Sequence, residues 1–93
     1  MSKQRFASVW DAIEDTTAQA ENMKLRSALM MALKDHIARE GLSQSQAAKV
    51  LGVTQPRVSD LMRGKIDLFG LDTLVNMAAA AGLRVEMHIL EAV

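Results

Sequence analysis

Residues 54–65, Thr-Gln-Pro-Arg-Val-Ser-Asp-Leu-Met-Arg-Gly-Lys, concentrate side chains whose chemistry suits nucleic acid. The Gln55 carboxamide can pair with adenine, and the Arg57 fork matches the two major-groove acceptors of guanine. Ser59 and Asp60 can also reach base edges, although Asp60 is better suited to orienting Arg57 or capping locally than to reading cytosine. Thr54, Arg63 and Lys65 can bond the sugar-phosphate backbone, which positions a protein without specifying sequence. Pro56 has no amide hydrogen, so any contact it makes is apolar, for instance with a thymine methyl. A run of this kind can also be no more than a solvated helix face, and the elements that carry it decide between the two readings.

Those elements are two short helices and a glycine turn. Ser43-Gln44-Ser45-Gln46 has the form of a capping box that opens one helix, with Ala47, Ala48, Val50 and Leu51 on its inner side. Gly52-Val53-Thr54 follows, where Gly52 adopts a left-handed backbone cheaply and Thr54 caps the next helix. Pro56 falls in that helix's first turn, where its missing donor costs little, and Gly64 ends it. The small Ala48, with Val53, Val58 and Leu61, allows the pair to close at a large angle. This is the sequence form of a helix-turn-helix over residues 43–65, in which the second helix can enter a major groove.

The rest of the chain reads as support. From Thr17 to Glu40 strong helix formers run without Gly or Pro, and the file Leu25, Leu29, Leu33, Ile37, with Ala28 and Ala32 beside it, predicts one long helix stopped by Gly41. Phe6, Val9, Trp10 and Ile13 fall at helical spacing in a separate short segment that Asp15-Thr16-Thr17 interrupts. These residues hold the chain's single Trp and one of its two Phe. Such a cluster either enlarges the core or offers a partner the aromatic anchors that interfaces favour. Leu71, Leu74, Val75 and Ala78 mark a further helix ending at Gly82, with Asp72 at its positive end. Leu83, Val85, Met87 and Ile89 then alternate with Arg84, Glu86, His88 and Leu90, which is the two-residue repeat of a strand. A lone strand leaves its edges unpaired, so this one is expected to build a homodimer by antiparallel pairing with a second copy. The methionines at 23, 30, 31, 62, 77 and 87 read as flexible core fillers.

Composition narrows the function classes. With 93 residues, 49% hydrophobic and 24% charged, the chain supports one ordinary globular core. The absence of Cys removes disulfides, thiolate metal sites and a thiol nucleophile. The start of the chain lacks the apolar block of a signal peptide, and Leu74 to Leu83 is too short and too broken to cross a bilayer, so a cytoplasmic protein is expected. Net charge is zero, but residues 41–70 carry Lys49, Arg57, Arg63 and Lys65 against Asp60 and Asp67, while residues 71–93 carry Arg84 against Asp72, Glu86 and Glu91. Charge within a Debye length of about 8–10 Å governs phosphate attraction, so a neutral total is no veto. His36 and His88 have no companion ligands or phosphate loop, and Asp11, Glu14 and Asp15 have no partner base. No enzymatic activity, metal or cofactor is expected.

The stretch Gly41-Leu-Ser-Gln-Ser-Gln-Ala-Ala-Lys-Val-Leu-Gly-Val-Thr-Gln-Pro-Arg-Val-Ser-Asp-Leu-Met-Arg-Gly-Lys65 resembles the phage-repressor, or xenobiotic-response-element, class of helix-turn-helix proteins. The run Thr54-Gln-Pro-Arg-Val-Ser-Asp-Leu-Met-Arg-Gly-Lys-Ile-Asp-Leu-Phe69, with Phe6-Ala-Ser-Val-Trp-Asp-Ala-Ile13 and Leu71-Asp-Thr-Leu-Val-Asn-Met-Ala-Ala-Ala-Ala-Gly82, further resembles HigA-like antitoxins. The resemblance places Gln44 at the position that clamps a phosphate. Pro56 departs from the polar residue common there, so no known base code transfers. The fold implied is a mostly α, compact helix-turn-helix bundle of four to five helices with one C-terminal β-strand paired across a dimer. Residues 1–16 would be an amphipathic toxin-binding segment, 17–82 the DNA-binding domain and 83–93 the dimerisation strand. The function implied is a repressor of its own operon, bound to an inverted-repeat operator, which neutralises a HigB-like, ribosome-dependent, messenger-cleaving toxin. A free-standing repressor and a protein-interaction module without DNA binding are the alternatives.

Overall fold

The computed structural model describes the backbone of residues 7–91 and the side chains of residues 17–91. The chain forms α1 (Ala7–Arg39), α2 (Gln44–Leu51), α3 (Gln55–Met62), a 3₁₀ turn (Ile66–Leu68) and α4 (Leu71–Ala80). Four α-helices agree with the expected bundle. The expected break at Asp15-Thr16-Thr17 is absent, and α1 is one helix of 33 residues. Asp and Thr are only mediocre helix formers, at up to about 0.7 kcal/mol each, and without Gly or Pro they do not interrupt the ladder.

The core forms where α1 packs on α4 and α2 packs on α3. Its α1 stripe is Met30, Leu33 and Ile37, with Leu29 half-buried at its margin. The file therefore loses its cover towards the amino terminus: Leu25, 41% exposed, lines an open groove beside α4, and every described side chain from Thr17 to Asn22 is exposed. Phe69, Leu33, Leu61 and Leu74 are fully buried, each worth about 1.5–3 kcal/mol of transfer free energy. Among the methionines, Met30 and Met77 fill the core and Met62 packs against it, but Met31 and Met87 are 63% exposed and fill nothing.

Beyond α4 the chain continues without regular structure from Leu83 to Glu91, and no strand occurs among the described residues. A strand is held by hydrogen bonds to a neighbour, and the remainder of the described chain is helix and turn, so the described residues supply no partner. Residues Leu83 to His88 instead border a groove of about 550 Å³ against α1 and α4. Leu83 reaches the core, whereas Val85 (40%), Met87 (63%) and Ile89 (88%) are exposed. No described helix is long and apolar enough to cross a membrane.

Candidate nucleic-acid interface

The α2–α3 unit is built as its sequence signals require. Ser43 Oγ accepts from the Gln46 amide at 3.1 Å, and Gln46 Oε1 accepts from the Ser43 amide at 2.9 Å, completing the capping box. That reciprocal bond occupies Gln46 and leaves Gln44, the first residue of α2, exposed. Gly52 ends α2 with φ 71°, a left-handed backbone that costs other L-residues about 1–2 kcal/mol, and the Val53 amide returns to Ala48 O at 3.0 Å. Thr54 Oγ1 accepts from the Arg57 amide at 3.4 Å and starts α3. Val58 and Leu61, both at 0% exposure, lock α3 onto Ala47, Ala48 and Leu51.

With that inner face fixed, the start of α3 faces outward. Thr54, Gln55 and Pro56 are exposed, and Ser59 and Asp60 are half-buried. At the other end Gly64, φ 73°, reverses the chain, and the Lys65 amide donates to Asp60 O at 3.1 Å. Arg63 Nη2 and Lys65 Nζ both approach Asp60 Oδ1, at 3.7 and 3.9 Å. The two cations are 63% and 48% exposed, and ion pairs of this kind contribute about 0–1 kcal/mol, so phosphate oxygens can compete for both.

Arg57 departs from the expected geometry. Its guanidinium carbon lies 4.4 Å from the centroid of the Phe69 ring, and its Nη1 donates to Leu68 O at 3.1 Å. The side chain is thus folded towards the 3₁₀ turn, and Asp60 engages Arg63 and Lys65 rather than orienting Arg57. Sequence reasoning also missed Arg26, whose Nη1 reaches Ile66 O at 3.3 Å from α1 while its Nε is buried without a partner. Its signal was present: position 26 shares the α1 face of Met30, Leu33 and Ile37, and a charge within a buried stripe must find a partner.

The other predicted groups lie elsewhere. Phe6 falls outside the described residues; Val9, Trp10 and Ile13 are helical in backbone, and their side chains lie outside them too. Leu83, Val85, Met87 and Ile89 follow α4, away from any helix-turn-helix position in sequence. His36 is on α1 and His88 on the C-terminal segment, and no metal-binding cluster of three His, Cys, Asp or Glu occurs among the described residues.

Comparison with known proteins agrees with this geometry. Residues 12–90 match the family described as helix-turn-helix domain. A solved chain carrying the provisional name XRE-family transcriptional regulator superposes with a TM-score of 0.73 at 35% sequence identity, over 80% of this chain and 83% of that one. No curated protein matches at a significant level. The capped α2–Gly52–α3 unit, the family match across most of the chain and this relative together place the protein in the helix-turn-helix domain family, as a DNA-binding transcriptional regulator of the XRE class.

Proposed function

We propose that the protein is a homodimeric repressor that binds an inverted-repeat operator at its own promoter and neutralises a messenger-cleaving toxin encoded beside it. The observation that carries the repressor reading is the outward face of α3: Gln55 and Pro56 exposed on a helix locked from behind by Val58 and Leu61, with Arg63 and Lys65 at its far end. Gln55 and Ser59 supply hydrogen bonds to base edges, Pro56 an apolar contact, and Gln44, Thr54, Arg63 and Lys65 the backbone contacts. The protein works as a binder, without catalysis or cofactor, in the cytoplasm. The antitoxin reading is supported by the HigA-like residues at both ends of the chain and by a first helix whose described side chains from Thr17 to Asn22 are all exposed. An exposed stretch of a helix that is packed further along is accessible to a partner.

The test uses duplexes tiled across the DNA preceding the protein's own reading frame, with binding followed by fluorescence anisotropy. Gln55→Ala is expected to cost about 1–3 kcal/mol on the cognate duplex and little on an unrelated one. Lys65→Ala is expected to weaken both similarly and flatten the salt dependence. Equal affinity of the wild type for every duplex removes the repressor reading. Co-expression with the small basic protein of an adjacent reading frame tests the other half: growth is restored if the chain is an antitoxin, and continued toxicity leaves a free-standing repressor.

A further inference from the structure

We propose that Arg57 is a positioning residue rather than a base reader: it latches α3 to the turn at residues 65–69 and so sets where Lys65 meets the DNA backbone. The turn is seated by Phe69 in the core, by Ile66 at its margin and by the Lys65 amide on Asp60 O, but its carbonyls at 66 and 68 face side chains from other elements. Its 3₁₀ segment, Ile66–Leu68, contains no buried residue, and Lys65 caps it with no side-chain hydrogen bond. It is also gripped from two sides. Arg26 on α1 donates to Ile66 O at 3.3 Å, and Arg57 on α3 donates to Leu68 O at 3.1 Å. The same Arg57 guanidinium lies 4.4 Å from the centroid of the Phe69 ring, which is only 1% exposed. A planar guanidinium can stack flat on a ring while its N–H groups donate in plane, and a lysine ammonium offers neither the flat face nor the fixed fork. To pair with a guanine, Arg57 would have to release the ring and the carbonyl together, and one of the two side-chain hydrogen bonds that reach the turn's carbonyls from outside would be lost as it bound. Lys65, the cation at the turn's first position, moves with whatever holds the turn.

The role of Lys65 at DNA rests on the function proposed above, whereas the latch does not, and the experiment separates them. Without DNA, amide hydrogen exchange is measured in the full chain for wild type, Arg57→Ala and Arg57→Lys. Both substitutions are expected to speed exchange at Leu68 and Phe69 at least tenfold and to leave Leu33 and Ile37 on α1 unchanged. Unchanged exchange at Leu68 and Phe69 overturns the latch. With DNA, the probe is the duplex that the wild-type protein recovers from a random-sequence pool, titrated at several salt concentrations. Lys65→Ala should lower the salt slope by about 0.9, one phosphate contact, in the wild-type background and by far less in the Arg57→Ala background. The base-pair preferences of Arg57→Ala should match those of the wild type at every position of the site. Loss of preference at one base pair, a full and additive effect of Lys65→Ala in both backgrounds, or full recovery of affinity in Arg57→Lys would each overturn the proposal. Recovery of no sequence by the wild type would count against DNA binding itself, and the exchange data alone would then decide the latch.

Discussion

Asp60 shows how one carboxylate can hold two cations at the end of a helix. Its Oδ1 lies 3.7 Å from Arg63 Nη2 and 3.9 Å from Lys65 Nζ, and its side chain is 24% exposed, so it holds both cations without removing them from water. A negative charge there also repels approaching phosphates. Asp60→Asn keeps the shape and deletes that charge. Protein–DNA affinity is expected to rise about two- to tenfold at low salt, equally on all sequences, with the gain fading as the Debye length shrinks. The stability change should stay within about 1 kcal/mol, since exposed ion pairs contribute no more. Anisotropy titrations between low and physiological salt check this, and a loss confined to the cognate duplex would mean that Asp60 accepts from a base. The sequence suggested Arg57 as the partner of Asp60 because the two are one helical turn apart. What it could not show was Phe69, twelve positions beyond Arg57 and brought beneath it by the reversal at Gly64.

Among the elements, α1 carries the core on its carboxy-terminal half and, in the function proposed here, the toxin-binding segment at its start. The described core begins at Met30, so removal of residues 1–15 takes away none of it. That truncation is expected to leave operator affinity within about twofold and the thermal midpoint within a few degrees, while abolishing toxin neutralisation. Circular dichroism melts and co-expression check both parts, and an unfolded truncation would show that Phe6, Val9, Trp10 and Ile13 belong to the core. Elements of this kind were legible where the signal is local. The Ser43–Gln46 box, the Thr54 cap, Pro56 in the first turn of α3 and the stop at Gly64 are all short-range chemistry, and all are realised. Less legible were features fixed by distant packing. The face of α1 that turns inward is decided by α4 and the turn at 65–69, which is why Met30 is buried and Leu25 is not. The continuity of α1 through Asp15-Thr16-Thr17 was missed because weak propensity was read as a break.

At the scale of the whole molecule, the open question is what covers the C-terminal segment. Val85, Met87, Ile89 and Leu90 are 40%, 63%, 88% and 85% exposed, a cost that the described residues recover only in part, where Val85 and Met87 line the groove with α1 and α4. Arg84 Nε lies 3.9 Å from Glu86 Oε2, so these two polar side chains, two residues apart, share one side, as the alternating pattern requires. Antiparallel pairing of this segment with its copy across a two-fold axis would satisfy its backbone and cover its apolar side chains at once. The groove against α1 and α4, which the same segment borders, would become part of that interface. The dimer would then present two α3 helices to an inverted repeat with half-site centres about one helical turn, roughly 34–36 Å, apart. Truncation after Gly82 tests the arrangement. It removes Leu83 from the margin of the core, so some loss of stability is expected, but the fully buried residues all remain. By sedimentation analysis the truncated chain should be a monomer, with affinity for a full operator reduced to that for a half-site. A shortened chain that still sediments as a tight dimer would place the interface on the helices, and binding of the intact protein to one isolated half-site as tightly as to the inverted repeat would remove the two-fold arrangement altogether.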